Sequence, residues 1–468
     1  MWIGLVGSEM CIRDRLFSPY RKFFKYLTLF LSLSFLSCGG GGGNVASETR
    51  NIQLQSTAQQ TYSYSWETAL PETVGLSASA VQNALDYATF DGLYTQSAII
   101  VKDEKIVGEK YRSISELEKN NLISAQPLLT KSFLEAKLGS QDSDSLVNSW
   151  SVGKSFTSIL FGIAESKGLL SINSNASDYI NEWIGDERKN ITIKNLLDMR
   201  SGLHQGCFNA SEPDEIGNCA DLPASSSIGG GNIARATNQL IGCINQTFNV
   251  PLHGQYNPLD QNSYYLYSNC DTMILGEIFY RAINQNIKDF AQTHLFSKLD
   301  ITAYWWKDNS IGGQNNGNFL TYCCIDMTAR DFLKIGQLLL NDGLWNGERI
   351  LSSAYVQQIK DLTTYGLKFW YTPEATFSSP NPSFNKLISA VGFDGQYVFI
   401  DFENKMLISR NSLYYPSLDI SDERKMSAGT LGSTNFTVTA PTIITTNGET
   451  RLTQVFSPTQ MINFLYTQ

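Results

Sequence analysis

The sequence predicts an α+β fold: one antiparallel sheet assembled from both ends of the chain, flanked by helices and joined to a mostly helical subdomain. Strand-like runs lie early, at Ser97 to Val101 and Lys105 to Tyr111, and return late, between Tyr365 and Asn411. Between them, apolar residues recur at helical spacing. Strands and helices do not alternate as βαβ units, which favours an antiparallel sheet over a parallel one. At 468 residues, 42% hydrophobic and 12% aromatic, the chain can bury a sizeable core.

The first residues read as targeting sequence. Met1 to Arg15 fits no part of a signal and reads as translated adapter sequence, a non-native leader. Residues 16–38 read as a lipoprotein signal, with Arg21, Lys22 and Lys25 ahead of the apolar run Leu27 to Ser37. That run falls far short of the ~20 residues that span a bilayer. Phe35-Leu-Ser-Cys38 resembles a bacterial lipobox, which implies lipidation at Cys38 and a membrane anchor at the cell envelope, periplasmic or outer surface. The five glycines 39–43 and the polar run to Ser65 form a flexible tether, leaving 66–468 as the folded domain. A net charge of −9 with no basic stripe argues against nucleic acid as a partner.

Export makes the cysteines disulfide candidates. Cys207 is expected to pair with Cys219, closing a short loop. Cys243 and Cys270 are expected to bridge to Cys323 and Cys324, because adjacent cysteines hold their Cα atoms about 3.8 Å apart, closer than an unstrained bridge prefers. Three histidines and no paired CxxC motifs point to no metal site. No cofactor is implied.

Taken in order, Leu76 to Phe90 reads as a helix capped by Ser77, with Val81, Ala84, Leu85 and Ala88 inward. A hairpin follows, turning at Lys102-Asp-Glu. Residues 113–145 form a polar insertion with a short helix around Leu128 to Lys137. The run Phe156, Ile159, Leu160, Ile163, Ala164 marks a buried helix stopped at Gly168. Thr192 caps a helix over Ile191 to Met199. The second insertion, 204–261, is rich in Gly, Asn and Cys and largely irregular, as functional or tied-down loops are. Helical spacing resumes at Tyr264 to Ala282, Ile287 to Leu299 and Thr328 to Asn341, completing a helical subdomain of about 170–340. The late strands are Tyr365 to Tyr371, Leu387 to Gly392, Gln396 to Phe402 and Met406 to Asn411, with a turn at Asp401 to Lys405. Pro458 opens a final helix to Tyr466.

Chemistry concentrates at the start of the buried helix. Ser151 and Lys154, three residues apart, share one helical face. A serine needs a base to become nucleophilic, and a lysine serves only where desolvation keeps it partly neutral. The helix N-terminus adds N–H donors for an oxyanion. Gly153-Lys154-Ser155 ends like a phosphate-binding loop, but Asn148 stands where that loop needs glycine. A second Ser-x-x-Lys, Ser383 to Lys386, lies in a Pro/Asn/Ser-rich run with no helix to organise it. Tyr267-Ser-Asn269 supplies a candidate base and clamp: a cationic lysine nearby lowers a tyrosine pKa, and Asn269 can bond a substrate amide. A second Tyr-x-Asn, Tyr179 to Asn181, reads as a surface turn. No Gly-x-Ser-x-Gly elbow is present, which disfavours an α/β-hydrolase.

These motifs, in this order, resemble the serine β-lactamase and penicillin-binding protein superfamily, in its class-C-like branch with esterases and 6-aminohexanoate-dimer hydrolases. Trp150-Ser-Val-Gly-Lys-Ser155, Ile191 to Leu203, Tyr267-Ser-Asn269, Thr328-Ala-Arg-Asp-Phe332 and Gly343 to Ile350 carry the likeness, from about Thr73 to Leu413. The resemblance implies a β-lactamase/transpeptidase-like fold and an acyl-enzyme on Ser151. It implies that Lys154 and Tyr267 move protons and that the N–H groups of Ser151 and Gln396 form the oxyanion hole. Its third motif, usually Lys-Thr-Gly or His-x-Gly, is replaced by Phe393-Asp394-Gly395. Gly395 keeps the close backbone approach, but no cation stands at Phe393 to grip a substrate carboxylate. The expected function is therefore an exported serine hydrolase of small esters or amides. The alternatives are a true β-lactamase or D,D-peptidase, or a catalytically impaired cell-wall or ligand-binding lipoprotein.

Overall fold

Residues from the far end of the chain complete the sheet begun by the early hairpin. The structure, a computed structural model, describes residues 65–125, 129–203, 207–209, 212–217, 238–246, 265, 267–308, 310, 317–373, 386–416, 425–426, 435–437, 444–446, 449–451 and 456–466, all within one compact unit. Among them, the main sheet uses β1 (Glu67–Thr68), β2 (Thr95–Lys102) and β3 (Lys105–Tyr111) from the early part. A shorter sheet uses β4 (Leu146–Asn148), β5 (Tyr304–Trp305) and β6 (Ile325–Thr328). The late part supplies β7 (Trp370–Pro373), β8 (Lys386–Gly392), β9 (Gln396–Asp401) and β10 (Met406–Ser412) to the main sheet, whose order is β1-β3-β2-β10-β9-β8-β7.

Every pair in the main sheet is antiparallel except β1 with β3, which run parallel, so the expected all-antiparallel sheet is corrected at its edge. Two residues suffice for that pairing, because the incoming chain lies beside β3 without turning back. The strand expected over Tyr365 to Tyr371 begins only at Trp370. Leu367 and Lys368 sit at φ 46° and 61°, in the left-handed region that interrupts extended backbone.

Both faces of the sheet are covered. Alternation along β2 sends Ala98 and Ile100 to one side and Ile99 and Val101 to the other. The first face packs against α1 (Ala78–Ala88) and the terminal helix. In α1, Ser77 accepts the Ala80 N–H, and Val81, Ala84, Leu85 and Ala88 are buried, as the spacing predicts. The insertion 113–145 holds two helices, α2 (Glu116–Ala125) and α3 (Lys131–Leu138), where one was expected. Buried Glu118 fastens it to the strands by accepting from both terminal guanidinium nitrogens of Arg112 and from the N–H groups of Gly92, Tyr94 and Ser115.

One apolar cluster joins the second face to α4 (Gly153–Ser166), α5 (Ile193–Leu197), α6 (Gln239–Ile244), α7 (Asn269–Ile283), α8 (Ala329–Leu340) and α9 (Ser353–Lys360). In α4 every residue from Gly153 to Ala164 is buried, so the helix forms the centre of the larger core. A capping box of Thr192 and Asn195 starts α5. Gly336 lets α8 lie close on the sheet: a Cβ there would meet Leu407 Cδ2 at 2.8 Å. The terminal helix, α10 (Pro458–Tyr466), begins at its proline.

Within the second insertion, α6 and the strand pair Cys207–Asn209 with Glu212–Gly217 form structure where an irregular loop was expected.

The expected disulfide pattern is corrected. Cys243 bonds Cys270, with Cα atoms 5.0 Å apart, because α6 lies alongside the first turn of α7. Cys323 bonds its neighbour Cys324, at a Cα separation of 3.7 Å. The proximity argument assumed ordinary backbone, whereas Cys324 adopts φ 69°, a turn that brings both side chains together. The expected partner of Cys207, Cys219, lies outside the described residues, as do Cys38, the signal and the tether up to residue 64. No helix among the described residues is long and apolar enough to cross a membrane.

Candidate active site

Ser151 sits on a 3-10 turn, Trp150–Val152, between β4 and α4 rather than within the α-helix itself. Trp150 holds φ 42°, uncommon for a bulky residue and typical of over-determined sites. Neighbours impose it. The Trp150 N–H donates to Asn148 Oδ1 at 2.7 Å, while Asn148 Nδ2 donates to Asp326 Oδ1 at 2.7 Å and Trp306 Nε1 to Asp326 Oδ2 at 3.1 Å. The Ser149 N–H donates to the Ile325 carbonyl and Ser149 Oγ accepts the Ile325 N–H, both at 2.8 Å. The short sheet thus exists at the site to hold the turn.

Lys154 Nζ lies 2.9 Å from Ser151 Oγ and donates to the Tyr322 carbonyl at 2.8 Å. Its side chain is fully buried, with no carboxylate acting on it among the described residues. Burial, aided by the charge of Lys368, holds its pKa well below the usual lysine range, which favours the neutral amine with its lone pair. The Tyr267 hydroxyl also hydrogen-bonds Ser151. Its ring stacks on Trp370 at 5.6 Å and meets Tyr365 edge-on at 6.0 Å, and Lys154 Nζ lies 4.9 Å from its centroid. The expectation that a cationic lysine lowers the Tyr267 pKa is reversed. Burial pushes this phenol above the tyrosine range, only partly offset by Ser151, and burial pushes the neighbouring lysine down.

The strand end opposite is built just as tightly. Phe393–Gly395 is a short turn joining β8 to β9, with Asp394 at φ 60° and Gly395 at φ 78°. Arg410, buried on β10, donates to the carbonyls of Asp394 and Gly395 at 2.8 and 3.0 Å and clamps the turn from behind. Burial lowers its pKa to about 10. A Cβ on Gly395 would strike Arg410 Nη1 at 2.6 Å, which explains the glycine. Phe393 meets Trp150 edge-on at 5.6 Å, and Gly392 packs on the Ser149 carbonyl. Gln396 is buried, with its side chain accepting from Asn411 Nδ2 at 3.1 Å. Asn269 opens α7, its Oδ1 buried without a hydrogen-bond partner among the described residues.

The beta-lactamase family model matches residues 88–412, which span every element just described. The chain belongs to the beta-lactamase family. This is a serine hydrolase family, and the architecture is its β-lactamase/transpeptidase-like fold. No curated protein sequence matches the chain. Among solved structures it is similar to a candidate 6-aminohexanoate-dimer hydrolase from Bacillus anthracis, at 17% identity and TM-score 0.49, covering 75% of this chain and 82% of that one. The hydrolase EstCE1, which has promiscuous acyltransferase activity, aligns at 12% identity and TM-score 0.49 over 73% and 94%. A class C beta-lactamase from Rhodobacter sphaeroides aligns at 13% identity and TM-score 0.45 over 71% and 93%.

In this beta-lactamase-family chain the structure brings Ser151, Lys154 and Tyr267 into contact and seats the Phe393 turn against Trp150. Four further residues escaped the sequence reading: Tyr322, Arg410, Lys368 and Asp271. Lys368 Nζ, fully buried, donates to the Leu196 carbonyl at 2.6 Å and reaches Met199 Sδ at 3.3 Å. Burial pulls its pKa down, against the pull of Asp271 and then Asp198. Asp271 on α7 accepts from Ser201 Oγ at 2.7 Å, and burial pushes its pKa up. A charged residue inside an apolar run, as in Met406-Leu-Ile-Ser-Arg410, was the signal available for Arg410.

Proposed function

We propose that the chain hydrolyses an ester or small amide through an acyl-enzyme on Ser151. The contact of Ser151 Oγ with both Lys154 Nζ and the Tyr267 hydroxyl carries this reading. The Tyr322 carbonyl takes one N–H of a neutral Lys154, which leaves the lone pair free for the Ser151 proton. As Oγ attacks the substrate carbonyl, that proton passes to Lys154. The N–H groups of Ser151 and Gln396 receive the oxyanion. Tyr267, kept protonated by burial, donates to the departing alcohol or amine and recovers its proton through Lys154. Water then attacks the acyl-enzyme by the reverse relay, releasing the acid and free Ser151. Asn269 Oδ1 offers an acceptor for a substrate N–H.

Phe393 shapes the preference. A carboxylate beside the scissile bond meets no cation there, and an unmatched charge in a partly dry cleft costs several kcal/mol. Neutral substrates, or those bearing an amine, escape that cost. The lipobox-like segment makes the enzyme a lipid-anchored envelope protein through Cys38, on the tether 39–65.

A fluorophosphonate probe, with adduct mapping by mass spectrometry, tests the nucleophile. Ser151 should be labelled and Ser151→Ala should not. Labelling elsewhere removes the assignment, and no labelling or turnover at all leaves a binding protein on the same scaffold. Short-chain nitrophenyl esters should be turned over and benzylpenicillin scarcely. Phe393→Lys should raise the ratio of β-lactam to ester turnover, whereas efficient penicillin hydrolysis by the unmodified chain would make it a true β-lactamase.

A further inference from the structure

Two cysteines that no step above uses lie directly behind the nucleophile. Cys323 and Cys324 are buried and joined to each other. The segment they occupy is tied to residues around Ser151 on both sides of the pair. Ahead of the pair, the Tyr322 carbonyl receives Lys154 Nζ at 2.8 Å. The Cys324 N–H donates to the Trp150 carbonyl at 3.3 Å. After the pair, Ile325 exchanges hydrogen bonds with the backbone N–H and the hydroxyl of Ser149, both at 2.8 Å. From the other side Gly153 closes in: a Cβ there would lie 2.9 Å from the Cys323 carbonyl carbon. Cys324 holds φ 69°, which a non-glycine residue keeps only where its surroundings over-determine it.

We propose that the Cys323–Cys324 bridge is a positioning element of the hydrolase, locking the backbone that aims the Tyr322 carbonyl at Lys154 and so directs the amine lone pair at Ser151. This rests on the roles given to Ser151 and Lys154 above. The bridge touches no substrate and acts only through the base. With the covalent ring open, Cys324 is free to relax to negative φ, and the Tyr322 carbonyl swings off Lys154 with it. Misplacing a reacting group by about 1 Å can cost 10²-fold in rate. Asn269 and Gln396 stand on α7 and β9, so substrate binding keeps its partners.

Cys323→Ala/Cys324→Gly removes the lock but keeps the turn accessible, since glycine adopts positive φ freely. Fluorophosphonate titration counts competent Ser151, so kcat per titrated site excludes misfolded protein. That kcat should fall roughly 10- to 100-fold with KM nearly unchanged. Opening the bridge in the unmodified protein with excess dithiothreitol should reproduce the loss. Each bridge takes two electrons and two protons from the dithiol, which closes to its cyclic disulfide. The variant, which retains Cys243–Cys270, should lose nothing further. A variant with undiminished per-site kcat overturns the inference, as does an equal loss on reduction in both proteins, which assigns the effect to Cys243–Cys270. Should the variant fail to fold, peptide mapping of the reduced unmodified protein decides: full per-site kcat with Cys323 and Cys324 both free as thiols refutes it. Turnover that survives in Ser151→Ala instead brings down the underlying reaction, so the two failures are distinct.

Discussion

Gly392→Ala isolates the approach of the strand end to the nucleophile turn. Gly392 has φ −123° and ψ 161°, ordinary extended backbone, so alanine meets no conformational objection. Its Cβ would instead lie 2.4 Å from the Ser149 carbonyl oxygen and 3.2 Å from Trp150 Cβ. An ordinary contact needs at least 3.4 Å, so the two segments must part by about 1 Å. Ser149 cannot yield easily, because Ile325 holds it through two hydrogen bonds. The movement therefore falls on the end of β8, and with it on the Gln396 N–H proposed for the oxyanion. Loss of one such donor costs about 10²- to 10³-fold in kcat, and overpacking costs about 1–3 kcal/mol of stability. Ester kinetics should show kcat and kcat/KM falling together, the signature of an interaction made in the transition state. A Gly185→Ala control, where an added Cβ meets nothing within 4 Å, should leave both unchanged. Gly392→Ala with full kcat would show that the strand end takes no part in the reaction.

The rate should fall as pH drops through the depressed pKa of Lys154, because only the neutral amine accepts the Ser151 proton. Lys368→Met removes a like charge, eases protonation of Lys154, and should move that acid limb to higher pH; a limb that stays put or moves down refutes the coupling. Asp271 and Asp198 are the carboxylates that act on Lys368, so the profile should be read alongside Asp271→Asn, which withdraws support for its charge. Tyr267→Phe keeps the stack on Trp370 and removes only the hydroxyl, so kcat should fall about 10²-fold with the melting temperature little changed. Glu118→Ala takes from half-buried Arg112 its nearest carboxylate and frees the N–H groups of Gly92, Tyr94 and Ser115; denaturant titration should show a loss of roughly 3 kcal/mol.

What was legible in the sequence was local and periodic. The Ser77 cap and inner face of α1, the buried helix after Ser151 and the late hairpins follow from spacing that any tertiary setting would respect. The Ser151, Lys154 and Tyr267 set was legible because motif and order agree. The short sheet of β4, β5 and β6 was not, since strands of two to four residues carry no period. Arg410, Lys368 and Asp271 were missed because their importance comes from burial, which sequence spacing does not report. The direction of the Tyr267 shift went wrong for the same reason: burial of the phenol itself sets it, and spacing does not report burial. Cysteine pairing turned on one φ angle at Cys324.

The central strand of the main sheet has a consequence for how the protein comes into being. β10 lies between β2 and β9, and Ser97 Oγ donates to Asn411 across 314 positions. At 5–20 residues per second, a ribosome needs roughly 15–60 s to add that much chain. Throughout this interval the early hairpin has an open edge and no partner for it. The nucleophile turn, braced by β8 and β9, waits as well. A nascent chain stopped just short of residue 406 therefore carries every one of these motifs, the Phe393 turn included, with no completed sheet to hold them. Such pairing between distant ends raises contact order and slows folding. Synthesis of the chain is thus separated in time from the birth of its candidate active site, which exists only once the last strands arrive.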